Sequence, residues 1–459
     1  MARDGSTPTS RLARDGGPKA AASQWPLLLQ RLGYGFQRSV DLLRSLPLVA
    51  RGVTTIADGS LSVGQLEEDF KALTGARHAL AMTNGTACLH SAYFALGVKP
   101  GTEVIVPAYT WHASATPILQ CGAVPVFAEF DPETLTLDPD DVERRITERT
   151  RVITVTHVWG NPARMDRLRE IADRHGVAIV EDCSHAHGAS YQGRPVGHWG
   201  DVGCFSLQAA KTVEGGECGV AVMDDPALFD RMLLLGHNVR IAREQRANSF
   251  DVGNTSLGLK YRPHMIATVL GHASVQRLAR RNAAAAATWK TLCEELSGER
   301  AIRPIATPKE GVRGGFYAFV FEYRGEALGG PDTAAFVEAV AAEGVPIQRD
   351  QYHGALLHQT PLFRTLDRRE LGGACWDPTR PWQENLSTVE LPVTEDLTAR
   401  LFRMPPELRG TPASYVRRCA AAIRKVLAAT VPAHETGRAA GTADSDGTLS
   451  PLAGKASPS

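Results

Sequence analysis

Two residues of this chain are placed to share a chemistry that neither has alone. An apolar run, VAIVED, ends in Asp182, and a second one, VGCFSL, is followed by Lys211 in SLQAAKTVEGGECGV. A lysine amine condenses with an aldehyde. A carboxylate stabilises a protonated pyridine nitrogen. Together they match what pyridoxal 5'-phosphate (PLP) needs, with Lys211 holding the aldehyde as a Schiff base and Asp182 keeping the ring an electron sink. The lysine must be partly desolvated for its pKa to fall and the imine to form readily. The Gly-rich stretch after Lys211 suits a side chain that must also swing free.

Further residues fit the same cofactor. MTNGTACLHSA reads as a strand end, a Gly turn and a helix, so the N–H groups of Gly85 and Thr86 would face a phosphate at a helix N-terminus. NGT is also a common turn. Ser206, five residues before Lys211, is a second phosphate candidate. Trp111 follows the strand-like EVIVPA, where an indole can stack on a flat ring or simply fill a core or an interface. His185, three residues after Asp182, is in reach of the cofactor's phenolic oxygen, or is a structural histidine. His187 is expected to support the turn.

The elements that must position these residues alternate. EVIVPA, VPVFAEF, RVITVTHV, VAIVED, VGCFSL and GVAVMDD are strand-like, and VGQLEEDFKALTG, TACLHSAYFALG, PDDVERRIT and MDRLREIADRHG are helix-like. That order implies an α/β fold with a mostly parallel sheet covered on both faces. One long helix is expected over residues 267–296, then strand signals in GGFYAFVFEY. The expected organisation is a disordered tail at 1–23, an amphipathic helical extension at 24–58, a large domain at 59–290, a smaller α+β domain at 291–432, and a disordered tail at 433–459. The extension is expected to pack on the body or on a neighbouring subunit rather than lie on a membrane.

Bulk composition excludes several function classes. Fifty basic residues balance fifty acidic ones, which argues against nucleic-acid or acidic-membrane binding. Eight scattered cysteines without a CxxC pair indicate a reduced, cytoplasmic protein without a structural metal. No apolar run reaches the roughly 18 residues of a membrane span, and no secretory signal is evident.

Taken together, NGTACL, EVIVPAYTWHASATPIL, DPETLTLDPDDVE, the long segment from VWGNPARMDRLRE to TVEGGECGV, and YRPHMIATVLG resemble the DegT/StrS-type aminotransferases. These form the sugar and cyclitol branch of the PLP-dependent aspartate aminotransferase superfamily. The resemblance implies a seven-stranded, mostly parallel sheet in a large domain, a smaller C-terminal domain, and a homodimer with shared active sites. It implies Lys211 as the imine lysine, Asp182 as the pyridinium partner, and His185 where the family usually has Gln. Trp111 falls at the stacking position, and Gly85, Thr86 and Ser206 at the phosphate. Three departures stand out, the first being an N-terminus longer than is usual in the family. Cys218 replaces a glycine after the lysine and is either tolerated or narrows the pocket. Lys260 stands where an Asn of the neighbouring subunit often reaches the cofactor phosphate.

The branch that dehydrates sugars replaces the lysine with His, so Lys211 favours transamination. The implied reaction moves an amino group from glutamate or glutamine to a keto-sugar, often nucleotide-linked, or a keto-cyclitol, in antibiotic or glycan biosynthesis. Aldol-type bond formation, elimination or oxidative deamination on the same fold remains open, as does a non-enzymatic regulatory relative. Arg240, Arg243, Arg246, Arg349 and His353 are candidate contacts for a phosphate or carboxylate, or solvated charges.

Overall fold

The computed structural model describes residues 11–15, 17–21, 24–50, 58–245, 247, 251–252, 255–350, 355–364 and 389–432. Its centre is a seven-stranded sheet. The strands in chain order are β1 (His78–Met82), β2 (Glu103–Pro107), β3 (Val124–Ala128), β4 (Thr150–Thr156), β5 (Ala178–Asp182), β6 (Val202–Ser206) and β7 (Gly219–Met223). They lie side by side as β1-β7-β6-β5-β4-β2-β3. Only β7 runs antiparallel to its neighbours. β2 and β7 are buried along their whole length, as expected for a sheet covered on both faces.

The six strand-like runs each supply one of these strands. β1 has no such signal, because HALAM is built of helix-favouring residues without a β-branched one. Pairing with β7 in full register holds it extended.

Helix ends follow local rules. Helix α2 (Leu61–Thr74) stops at Gly75, which takes φ 81°, and Gly176 ends the helix Met165–His175 with φ 64°. Helix α3 (Gly85–Ala95) is capped by Asn84, whose side chain accepts from the Ala87 N–H at 2.8 Å. The long helix expected over 267–296 is instead two, α4 (Met265–Val275) and α5 (Leu278–Glu295). The chain turns at Gln276–Arg277, and the Arg277 guanidinium pairs with the buried Asp41 carboxylate, Nη1 to Oδ1 at 3.1 Å. A tertiary ion pair overrides a continuous helical pattern here.

A four-stranded sheet follows, with β8 (Ile302–Pro304), β9 (Phe319–Tyr323), β10 (Gln348–Arg349) and β11 (Leu401–Met404) in the order β8-β9-β11-β10. Helix α5 and the C-terminal helix Ala413–Thr430 cover it through Leu292, Tyr415, Cys419 and Ile423.

The expectation of a disordered segment through residue 23 fails for 11–15 and 17–21. Leu12 and Ala21 are buried in the core with Phe336 and Val340. The buried Glu343 carboxylate accepts the Ala13 and Ala20 N–H groups at 2.8 and 3.0 Å. A polar composition does not reveal that a distant acid anchors the segment. The expected tail from 433 lies outside the described residues.

Helix α1 (Trp25–Leu43) carries the extension. Its inner side buries Leu27 and Asp41, while Trp25, Leu29, Leu32 and Phe36 stay exposed at spacings of a helical face. No described helix is long and apolar enough to cross a membrane.

Candidate active site

Strands β5 and β6 deliver Asp182 and Ser206 to the carboxyl edge of the sheet, where ligands gather in open α/β folds. Helix α3 begins at the same edge. The β-carbon that Gly85 lacks would lie 2.7 Å from Ser206 Cβ, so only glycine permits this approach. Asn84 takes the third N–H of the helix, leaving those of Gly85 and Thr86 as first-turn donors. The result sets the N-terminus of a helix beside a serine hydroxyl, two kinds of group that can serve an anion.

Asp182 is buried and fixed by its surroundings. Ser114 Oγ donates to its Oδ2 at 2.7 Å, and the Ser184 N–H donates to Oδ1 at 3.1 Å. Behind Ser114, Thr110 lies at 2.9 Å and donates on to Thr156 at 3.1 Å.

Lys211 reaches into a cavity of about 440 Å³, which Tyr317, Gln348 and Arg403 also line. Its ammonium lies 4.1 Å from the centre of the Tyr317 ring. Burial pushes the amine from its ordinary 10.5 down to about 8, against the opposing pull of the Asp182 charge. Tyr317 stacks on His185 at 4.1 Å and 12°, and His185 stacks on Trp159 at 5.3 Å and 16°.

Burial and the nearby Lys211 charge hold His185 neutral, well below its ordinary pKa. Its Nδ1 faces the Trp159 N–H at 3.4 Å, which makes Nε2 the protonated nitrogen and a donor. His187 is buried against Phe70 and Phe205, consistent with a supporting part in the turn.

Arg403, Tyr317, Trp159 and Asp350 were not anticipated. Arg403 sits on β11, its guanidinium 5.0 Å from the Trp159 ring and 3.6 Å from Asp350 Oδ1. With the Gln348 amide oxygen turned toward it, Arg403 Nε donates at 2.7 Å. Asp350 accepts from the Tyr109 hydroxyl, which itself accepts from Trp159 Nε1 at 3.0 Å. Burial lifts Asp350 to about 6 despite Arg403. The available signal for Arg403 was a lone cation inside the otherwise buried strand LFRM.

Other candidates lie elsewhere. Arg240 is buried in ion pairs with Glu67 at 2.7 Å and Glu244 at 2.7 Å, so it is a structural cation and not an anion contact. Arg243 is exposed, and Arg349 follows the cavity-lining Gln348 on β10 but does not itself line the cavity. Arg246 and His353 lie outside the described residues. Cys218 is buried with Val63, Phe70 and Met265, and burial pushes its thiol up to about 12. It therefore fills core space and does not narrow the cavity. Trp111 is half-exposed just before the short helical turn His112–Ser114. Lys260 is exposed with φ 56°. Its neighbour Tyr261 ties the loop to the base of α3 by accepting from Thr83 N–H at 2.8 Å.

The cluster His157–Glu181–Cys183 has ligand-like atoms within 4.8 Å of one another. Its Glu181 already accepts N–H groups from Gly197, Trp199 and Gly200 at 2.8, 2.7 and 2.6 Å, as well as the His157 ring at 3.0 Å. The group is a closed hydrogen-bonded knot that supports the end of β5.

A mostly parallel seven-stranded sheet, with a lysine, an aspartate and a glycine-led helix start at its carboxyl edge, belongs to the aspartate aminotransferase fold class. The sequence comparisons agree and go further. A profile described as the DegT/DnrJ/EryC1/StrS aminotransferase family matches residues 49–405, and the chain belongs to that family. The L-glutamine:2-deoxy-scyllo-inosose aminotransferase of Streptomyces kanamyceticus is 33% identical over 436 residues, covering 91% of this chain and 97% of that one. The L-glutamine:scyllo-inosose aminotransferase of Streptomyces griseus is 32% identical over 427 residues, covering 91% and 98%. Among solved structures, DesI in the presence of its TDP-sugar product matches with a TM-score of 0.68 at 28% identity, covering 92% of this chain and 97% of that one.

Proposed function

We propose that this enzyme is a PLP-dependent aminotransferase that takes an amino group from glutamine or glutamate and delivers it to a keto-cyclitol or keto-sugar. The observation that carries the reading is the desolvated Lys211 amine, lowered to about 8, in a cavity beside the fixed Asp182 carboxylate. The close approach of Gly85 to Ser206, which a Cβ would prevent, sets the first-turn N–H groups of Gly85 and Thr86 beside the Ser206 hydroxyl, a donor set that would suit a phosphate. The relatives named for amino transfer from glutamine to scyllo-inosose and its 2-deoxy form supply the donor and the acceptor class.

When bound, PLP supplies an electron sink that makes an amino carbon acidic. The chain's own groups do the rest. Gly85, Thr86 and Ser206 would hold the phosphate, and Trp111 would stack on the ring. Asp182 keeps the pyridine nitrogen protonated. Neutral His185 donates from Nε2 to the phenolic oxygen. Lys211 would anchor the cofactor and, once released, its amine would take a proton from the amino-bearing carbon of the donor and, in the second half-reaction, return one to the carbon that receives the amino group. Arg403 is placed to take a donor carboxylate as a charge-assisted pair.

The active unit is a homodimer in which Lys260 of one subunit serves the phosphate site of the other. Support comes from the exposed apolar face of α1 and from exposed Leu257 and Leu259 flanking the Lys260 loop, surfaces a monomer rarely leaves open. The burial of Cys218 in the core removes a main reason for expecting a different reaction.

Purified protein should show the visible absorption band of lysine-bound cofactor. Glutamine or glutamate should bleach it, and a keto-cyclitol should restore it with stoichiometric amination. A band that no amino donor bleaches would end this reading.

A further inference from the structure

Helix α1 lies ahead of the stretch matched by the family profile, 49–405, yet it forms a wall of the cavity that holds Lys211. Tyr34, Gly35 and Arg38 of α1 face the same space as Lys211 and Arg403. The helix is clamped in place. Arg38 Nε donates to Glu214 at 2.7 Å, and its Nη2 donates at 2.6 Å to the carbonyl of Ala209, two residues before Lys211. The Tyr34 ring packs against the guanidinium groups of Arg281 and Arg409 at 5.2 and 5.6 Å, and its hydroxyl accepts from Arg409 Nε at 3.0 Å.

Two glycines flank Tyr34 in the middle of this helix. After proline, glycine is the least favourable residue in a helix interior. Neither Gly33 nor Gly35 has a positive φ, and a Cβ built on either meets no atom within 4 Å. Backbone geometry and close packing therefore give no reason for a glycine at position 35. Gly35 does line the Lys211 cavity, whereas Gly33 lines a separate cavity on the other side of Tyr34.

Three of the wall's cations are already engaged. Arg38 is committed to Glu214, Arg281 to the Thr212 carbonyl at 2.6 Å, and Arg409 to Thr212 Oγ1 at 2.8 Å. Arg31 faces Glu407 at 3.7 Å. That leaves the solvent-facing Arg31 and, across the cavity, Arg403 as the guanidinium groups open to an anion, and an uncharged polyol ring requires neither.

We propose that α1 is a substrate-binding element and that Gly35 is a specificity-determining residue, its missing side chain leaving room for an uncharged, ring-sized keto-acceptor beside Lys211. This inference rests on the aminotransferase reading above.

The test uses full-length Gly35→Ala, Gly35→Leu and, as a control, Gly33→Ala. Cofactor-free Gly35→Ala and Gly33→Ala should melt at or about one to two degrees above the wild type, because each removes a helix glycine. The proteins are then loaded with PLP and treated with hydroxylamine or with the bulkier O-benzylhydroxylamine, and loss of the visible band is timed. Gly35→Leu should slow the benzyl reagent about ten-fold while leaving hydroxylamine nearly unchanged. Gly33→Ala should alter neither rate. The proposal is overturned if Gly35→Leu slows neither reagent or both equally, or if Gly35→Ala lowers the melting temperature. It is also overturned if Gly35→Leu converts a dimer to monomers in sedimentation without changing reagent access, since that assigns the glycine to a subunit contact. Wild-type protein that takes up no PLP overturns the functional reading and this inference together. A loaded enzyme indifferent to Gly35→Leu overturns only this one.

Discussion

Gly85 and Ser206 approach so closely that a β-carbon on the glycine would lie 2.7 Å from the serine Cβ and 3.1 Å from its Cα. One partner is the first residue of α3, and the other is the last residue of β6. Their contact brings a helix N-terminus onto a strand end, which is the arrangement proposed to hold the cofactor phosphate.

Gly85→Ala should therefore weaken PLP binding by about ten-fold or more, roughly 1.4 kcal/mol, without unfolding the protein. The helix or the strand must shift to admit the methyl group, and the first-turn N–H groups move with it. Absorbance titration of cofactor-free protein measures the affinity, and far-UV circular dichroism checks the fold. Unchanged affinity would place the phosphate elsewhere.

Lys211 gives a prediction in pH. Burial disfavours the ammonium, so the amine loses its proton near 8 instead of at its ordinary 10.5. Only the neutral amine attacks an aldehyde. The rate of PLP attachment to cofactor-free enzyme should rise with pH and level off above about 8. The Asp182 charge opposes the effect of burial, so Asp182→Asn should move the midpoint to lower pH. A midpoint near 10.5, or an upward move in the variant, would contradict the desolvated site.

Arg403 should act on the donor and not on the acceptor. Its guanidinium lines the Lys211 cavity and is held by Gln348 and Asp350. Losing a charge-assisted pair to a carboxylate is worth about 1.5–3 kcal/mol, or on the order of ten- to a hundred-fold. Arg403→Ala should raise KM for glutamine by that factor and leave KM for an uncharged keto-acceptor nearly unchanged. Equal rises for both substrates would assign Arg403 to the architecture of the cavity.

The parts of this site that could be read from sequence are those with local signatures. Asp182, Ser206 and Lys211 follow apolar runs that become β5 and β6, and Gly85 follows a turn that becomes a capped helix start. Tyr317, Asp350 and Arg403 come from the second sheet and its approaches, more than a hundred residues downstream, and nothing near them in sequence points back to Lys211. Strand β1 was hidden for another reason. Its residues favour helix, and only pairing with β7, about 140 residues away, makes it a strand. Cys218 left two readings open in sequence, tolerated or narrowing the pocket, and its burial with Val63, Phe70 and Met265 matches the first.

Arg240 tests how a buried charge differs from a binding charge. It pairs with Glu67 and Glu244 while almost fully buried, and both carboxylates raise its pKa. Breaking a buried pair from one side costs about 3–5 kcal/mol. Arg240→Ala should lower the denaturant midpoint accordingly, and KM for both substrates should hold under conditions where the variant is folded. A raised KM with unchanged stability would restore Arg240 as a substrate contact.

The shared active site can be tested by mixing variants. Lys211→Ala removes the anchor, and Lys260→Ala removes the cation proposed to act on the partner's phosphate site. If Lys260 acts across the interface, each heterodimer of the two variants has one site lacking both residues and one site lacking neither. An equal, reassorted mixture would then recover about a quarter of wild-type activity, since roughly half of the dimers are mixed and each has one intact site of two. If Lys260 serves its own chain, every site in the mixture lacks one of the two residues. Activity in that case stays at the residual level of the separate variants. The exposed position of Lys260, on a loop that Tyr261 ties to Thr83 at the foot of α3, is the geometry that favours action across the interface. Recovery to no more than the sum of the two variants would rule that arrangement out.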